Sequence, residues 1–195
     1  MRAAYDRLVD AYASRNDAMP DALIPLAHRF MRGVVPNGHV LDVGCGTGRD
    51  MAWFENRGIT VTGIDLSMAM LQFARHRVAG NLLNMDMCLL GLRDACFDGV
   101  WCCASLLHVP KSMALGALQG FRRVLKPGGM LAVVVQEGAG EAWEDSYVDG
   151  VSRFFARYRA DELERILGRA GFGTIETEVC PGRKRTWLSC TCTPA

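Results

Sequence analysis

Between Val40 and Gln136 the chain alternates short runs rich in valine and isoleucine with stretches whose apolar residues recur at helical spacing. That alternation constrains the fold more than any single residue, because strands joined by helical crossovers pair in parallel and must be covered on both faces. Val40–Val43, Ile59–Ile64, Gly99–Ala104 and Met130–Gln136 read as strands, and residues 81–85 as a weaker one. Helices are expected from about Arg49 to Gly58, from an N-cap at Ser67 through Met68, Leu71, Ala74 and Val78 to Gly80, and over about 111–126. In the last of these Ala114, Leu118, Phe121 and Leu125 share a stripe, while Gly116 and Gly120 cost about 1 kcal/mol each, so it depends on packing. Pro127-Gly128-Gly129 is expected to end it before the next strand begins. Two helices, at about 3–15 and 20–33, come before the alternation. After it come an insertion at 137–158, a helix at about 160–170, and two alternating strands, Thr174–Cys180 and Thr186–Cys192, around Pro181-Gly182. The last pair reads as an antiparallel hairpin. The expected fold class is α/β: a doubly wound sheet with helices on both faces and one antiparallel strand.

A length of 195 residues suits a single domain spanning 1–195. Its 22 Lys and Arg against 21 Asp and Glu argue against a nucleic-acid partner held by bulk charge and against a polybasic membrane anchor. The longest purely apolar run, Met130–Val135, falls far short of the ~20 residues of a spanning helix, and Asp6, Arg7 and Asp10 interrupt the place where a signal peptide needs its apolar centre. A cytoplasmic protein without membrane or nucleic-acid partners is expected. The eight cysteines form no C-x-x-C pair and the four histidines are scattered, so reduced, packed thiols are expected and no metal site. Cys190 and Cys192, two apart on a strand, should point to one face.

Open α/β sheets bind ligands beyond the carboxyl ends of their strands. After the first strand stands Asp42-Val-Gly44-Cys45-Gly46-Thr-Gly48, whose alternate glycines let backbone close on a ligand. After the second comes Asp65, a carboxylate able to accept from two ribose hydroxyls at near the spacing expected from a glycine loop. Asp86-Met87 follows the third strand and Ser105-Leu-Leu-His108 the fourth. The dinucleotide fingerprint G-x-G-x-x-G fails, because its last position is Arg49. Asp42, awkward beside a pyrophosphate, suits a cationic ligand. The loops read as a site for adenosine carrying a positive group.

Val40-Leu-Asp-Val-Gly-Cys-Gly-Thr-Gly-Arg-Asp50, Val61-Thr-Gly-Ile-Asp-Leu-Ser67, Phe97-Asp-Gly-Val100 and Val124-Leu-Lys-Pro-Gly-Gly129 together resemble the ordered motifs of class I S-adenosylmethionine-dependent methyltransferases. The likeness covers about residues 38–135 closely, and Gly171-Phe172 and the closing hairpin more loosely. It implies a Rossmann-like seven-stranded sheet with the last strand antiparallel, and S-adenosylmethionine as cofactor. Carried over residue by residue, it implies that Gly44, Cys45 and Gly46 face the methionine part, with Asp42 behind its amino group. Asp65 then holds the ribose, Leu66 lies on the adenine, Asp86 and Met87 meet the adenine edge and ring, and Ala104 and Ser105 pass near the sulfonium. Tyr12 stands as the N-terminal aromatic beside the cofactor, and Arg49-Asp50 follow the glycines as in a subgroup acting on small molecules. The family usually has glycine before the Asp86 position, where Asn84-Met85 stand here.

Several readings stay open at the level of sequence. Asp42 serves the ligand or caps the following helix. His108 is a general base or a satisfied structural histidine before Pro110. Arg153 clamps a carboxylate or is simply solvated, while Phe154 and Phe155 read as core. Arg183-Lys184-Arg185 reads as an exposed, idle hairpin tip. The function expected is methyl transfer to a small-molecule acceptor, since no accessory domain or basic groove remains for a nucleic acid. A cofactor-binding protein without catalysis fits the same motifs, and a nicotinamide oxidoreductase is disfavoured by Arg49. Modification of the Cys45 thiol is expected to block the cofactor. Neither the acceptor atom nor the oligomeric state is specified.

Overall fold

The computed structural model describes residues 1–182 and 185–195. Helices α1 (Arg2–Arg15) and α2 (Ile24–Arg32) lead into β1 (His39–Val43), α3 (Arg49–Glu55), β2 (Thr60–Asp65), α4 (Met68–Ala74) and β3 (Asn81–Asn84). The chain continues through β4 (Phe97–Cys103), α5 (Lys111–Val124), β5 (Leu125–Gln136), β6 (Glu141–Asp145) and β7 (Ser152–Ala156). It closes with α6 (Ala160–Arg169), β8 (Phe172–Pro181) and β9 (Thr186–Pro194). Seven strands form one sheet in the order β3-β2-β1-β4-β5-β9-β8, parallel through β5, with β9 antiparallel to both of its neighbours. The expected α/β class and the antiparallel last strand are both present.

Alternation along the central strands sorts side chains to two cores. Leu41, Val43, Val100, Cys102, Leu131, Val133 and Val135 pack under α5 and α6. Val40, Trp101, Ala132 and Val134 pack under α2 and α3, where the rings of Phe30, Phe54 and Trp101 meet at 5.2–5.6 Å. Asp42, on this second side, is therefore buried beside Trp101 rather than exposed at the sheet end. Strand order reverses between β1 and β4, which opens a crevice beyond their carboxyl ends.

Two boundaries differ from expectation. α4 stops at Ala74 instead of Val78, because the Glu55 carboxylate takes the backbone N–H groups of Ala79 and Gly80 at 3.1 and 2.8 Å and draws the chain into β3. β5 begins at Leu125, so Pro127-Gly128-Gly129 lies within the strand; a register shift against β4 between Phe97 and Gly99 absorbs the irregularity. Within the insertion at 137–158, whose internal structure the sequence does not specify, β6 pairs with β7 as a two-stranded antiparallel ribbon. All eight cysteines are free, and Cys190 and Cys192 share one buried face of β9. Of the expected hairpin tip, Arg183 and Lys184 lie outside the described residues. Arg185 is not idle, since it donates to Gln136 Oε1 at 3.0 Å and to Glu144 Oε2 at 2.6 Å.

Candidate functional site

The loop after β1 turns at Gly44 and Gly46, both with φ in the left-handed region (+73° and +54°). A Cβ on Gly44 would collide with the Cβ of Ser105, and beyond Gly46 the nearest atom in that direction is Tyr12 Cε1 at 3.8 Å. The glycines thus leave a bare backbone ledge facing a cavity of about 220 Å³. Gly44 and Cys45 hang by their N–H groups from the Ile64 carbonyl (2.8 and 3.0 Å), and the Asp65 carboxylate accepts from Gly46 N (3.0 Å) and Ser67 N (2.8 Å). Burial raises the Asp65 carboxyl above its ordinary value, against the opposing pull of those N–H groups. A single carboxylate therefore sets the loop while lining the cavity, with acceptor capacity left over.

The cavity gathers the expected Tyr12, Gly44, Gly46, Asp65, Leu66, Asp86, Met87, Ala104, Ser105 and His108 along one crevice. Asp86 turns back to its own loop, accepting from Cys88 N at 2.8 Å. Ala104 holds φ +53°, uncommon for a residue with a Cβ. The Ser105 hydroxyl is committed below the ledge, donating to the Val43 carbonyl at 2.5 Å. Cys45 contributes backbone only: its thiol lies in the core against Gly63 and Met51, and burial pushes it well above the usual thiol range.

Behind the glycine ledge lies a small polar recess between Tyr12, Asp42, Thr47 and Arg49. Asp42 caps no helix, for α3 starts from Gly48 in the left-handed conformation. Its Oδ2 and Thr47 Oγ1 are buried without a hydrogen-bond partner, among the described residues. Burial, reinforced by the nearby Asp50, lifts the Asp42 carboxyl well above its ordinary value. Asp50 itself is occupied, by Arg49 Nε at 2.5 Å and Trp101 Nε1 at 2.9 Å. Unsatisfied buried oxygens are costly, about 1–3 kcal/mol each, and mark where a donor is missing. A cationic amino group beside Asp42 would meet that need.

At the opposite end His108 is held from two sides. Its Nδ1 lies 2.6 Å from the Phe154 carbonyl, which can only accept, so Nδ1 carries the proton. Nε2 then accepts from the Tyr5 hydroxyl at 2.7 Å. Burial lowers the imidazole to about 4, which keeps it neutral. Tyr5 went unremarked in the sequence, yet it stands two helical turns from Tyr12 on the same face of α1, and that spacing is the signal that could have found it. Asp6 was equally invisible: it accepts from Ser67 Oγ at 2.6 Å and pins α1 across the cavity. Methionines 1, 70, 85, 87 and 113 contribute to the apolar wall. No group of three or more His, Cys, Asp or Glu able to hold a metal occurs among the described residues.

Residues 41–133 match the family model of the methyltransferase domain. The methyltransferase GfsG of Streptomyces halstedii is 30% identical over 182 residues, which cover 86% of this chain and 63% of that protein. The chain spans less than two thirds of the length of the curated relatives it matches, 63%, 56% and 57% for three of them. The fold is shared with the 1,6-didemethyltoxoflavin-N1-methyltransferase of Burkholderia thailandensis, solved with S-adenosylhomocysteine (TM-score 0.81, 23% identity, 100% of this chain and 87% of that one). It is also shared with the [4+2]-cyclase SpnF (TM-score 0.75, 22% identity, 99% and 95%). With the glycine ledge, the carboxylates at the ends of β1 and β2 and after β3, and the matched region all in one order, residues 41–133 form a methyltransferase domain.

Proposed function

We propose that the chain binds S-adenosylmethionine along the crevice and transfers its methyl group to a small-molecule acceptor. The observation that carries this reading is the orphaned Asp42 Oδ2 behind an open glycine ledge, in line with Asp65 and Asp86. In this reading Asp42 receives the cofactor's amino group, assisted by the backbone of Gly44, Cys45 and Gly46. Asp65 receives the ribose hydroxyls, Leu66, Asp86 and Met87 the adenine, and Tyr12 closes over the methionine part. Ala104 and Ser105, which line the crevice, would pass near the sulfonium.

The bound cofactor supplies a methyl group already activated by its sulfonium. The protein's own work is alignment and exclusion of water. α1 lies across the crevice and the methionine side chains line it. His108, neutral with Nε2 toward Tyr5, is placed to draw a proton through the Tyr5 hydroxyl when the acceptor must lose one. The fold is shared with a [4+2]-cyclase and so does not by itself dictate methyl transfer; a cofactor binder without catalysis is the second reading.

Isothermal titration with S-adenosylhomocysteine tests the proposal, with one site per chain expected. Asp65→Ala should weaken binding by tenfold or more, about 1.4 kcal/mol. Well-folded protein that shows no binding would overturn the reading. Turnover of methyl-labelled cofactor with a metabolite panel separates enzyme from binder.

A further inference from the structure

The side chains lining the crevice leave few polar groups for a methyl acceptor. Its charged residues are Arg2, Asp65 and Asp86. Asp65 and Asp86 serve the cofactor in the cofactor reading, and Arg2 reaches back toward Asp6 at 3.7 Å. The Ser67 hydroxyl is committed to Asp6 and that of Ser105 to the Val43 carbonyl. Among side-chain oxygens and nitrogens, the phenols of Tyr5 and Tyr12 and the imidazole of His108 remain, and Tyr12 belongs to the methionine end. Met1, Met113, Val109 and Pro110 line the same crevice and add only apolar surface.

A third group fixes the direction of the Tyr5–His108 bond. The Phe154 carbonyl accepts from His108 Nδ1 at 2.6 Å, so Nε2 offers only a lone pair and Tyr5 must donate to it, at 2.7 Å. The Tyr5 oxygen is thereby left as an acceptor. A molecule that meets it must bring the proton, which an O–H or N–H group does and an ether, a thioether or a tertiary amine does not. Charge then separates hydroxyl from amine. Burial pushes the Tyr5 phenol above its ordinary value, and the neighbouring Arg153 pulls it back. Glu144, in register with Arg153 across the ribbon, is shared by Arg157 and Arg185. Beside that positive charge an amine, cationic in water and cationic again once methylated, is disfavoured, whereas a hydroxyl that gives up its proton is favoured.

We propose that the methyl acceptor is an uncharged molecule carrying a phenolic or enolic hydroxyl, and that Tyr5 is the catalytic residue that takes its proton. The acceptor O–H bond breaks and its proton passes to Tyr5 Oη, as Tyr5's own proton passes to His108 Nε2. The electron pair stays on the acceptor oxygen, which forms the bond to the methyl carbon while the C–S pair stays on sulfur. The Phe154 carbonyl holds Nδ1–H of the resulting imidazolium, which returns its proton to solvent. Burial keeps His108 a weak base, so an acidic hydroxyl suits this relay better than an aliphatic alcohol. This inference rests on the cofactor reading of the crevice and goes beyond it in naming the acceptor group.

The test uses the intact chain saturated with S-adenosylhomocysteine and three probes titrated by ligand-observed NMR: phenol, anisole, which lacks the donor, and benzylamine, which is cationic. Phenol should bind saturably and about fivefold more tightly than either of the others. In Tyr5→Phe protein that still binds S-adenosylhomocysteine, phenol and anisole should come level. Nitrogen-15 shifts of the wild-type His108 ring at neutral pH should report a neutral imidazole protonated at Nδ1. No phenol binding, phenol no tighter than anisole or benzylamine, a preference that survives Tyr5→Phe, or a ring protonated at Nε2 overturns the proposal. The wild-type measurements stand even if the variant fails to fold. When S-adenosylhomocysteine binds and phenol shows no preference, this inference falls alone; when S-adenosylhomocysteine itself does not bind, the cofactor reading falls and takes it along.

Discussion

Single groups in this site are set by what they can no longer do. His108 illustrates it: a carbonyl fixes which nitrogen holds the proton, and a phenol fills the other. Because its folded value lies near 4 against 6.5 when unfolded, the unfolded chain binds the extra proton first as pH falls between those values. Stability contributed by the neutral imidazole is thus complete above about 6.5 and is lost on acidification toward 4. Urea denaturation at a series of pH values should show this loss in the wild type, and His108→Gln should flatten the slope within the same window; an unchanged slope would refute the assignment. At this scale sequence was a partial guide. Asp42, Asp65 and the glycines are legible because the chemistry dictates residue type at fixed positions after strands. The direction of the Cys45 thiol was not legible because loop membership does not say which way a side chain turns, and Arg153 stayed ambiguous because only three-dimensional pairing shows that Glu144 is spoken for.

Among the elements, the strands were easiest to read, because burial on both faces demands unbroken β-branched and apolar runs. The β6–β7 ribbon was not legible, since Glu-Ala-Trp-Glu-Asp and Ser-Arg-Phe-Phe-Ala carry no clean alternation. It forms through cross-strand contacts, with Trp143 against Phe154 at 5.8 Å, and through the burial of Phe155, Ala156 and Tyr158 in the main core. α1 is likewise an element whose place is decided by tertiary contacts, having few buried residues of its own. It is tied down by Asp6 to Ser67, by Tyr5 to His108 and by Arg7 Nη1 to the Gly150 carbonyl at 3.1 Å. Asp6→Ala should free α1 first, raising amide exchange across residues 2–15 by an order of magnitude while leaving β1 and β4 protected. Exchange that stays unchanged along α1 would mean the other ties suffice.

For the whole molecule, the crevice between the two sheet halves couples ligand to stability. With S-adenosylhomocysteine at a hundredfold its dissociation constant, mass action adds about 2.7 kcal/mol, and a chain of this size should gain roughly 5–11 °C in Tm. Differential scanning fluorimetry gives the measurement, and a flat response at saturating ligand counts against the site. No helix among the described residues is long and apolar enough to cross a membrane. The sheet order carries one more consequence, for assembly in time. β9 lies between β5 and β8 although it follows both in the chain, so β8 cannot join the sheet until β9 has formed, and the two must dock as a hairpin. Until they do, the Leu131–Val135 edge of β5 has no neighbour on that side. At ribosomal speeds of 5–20 residues per second, the stretch from 137 to 194 leaves that edge bare for about 3–12 s, which makes it the point where a nascent chain is most open to pairing with the wrong strand.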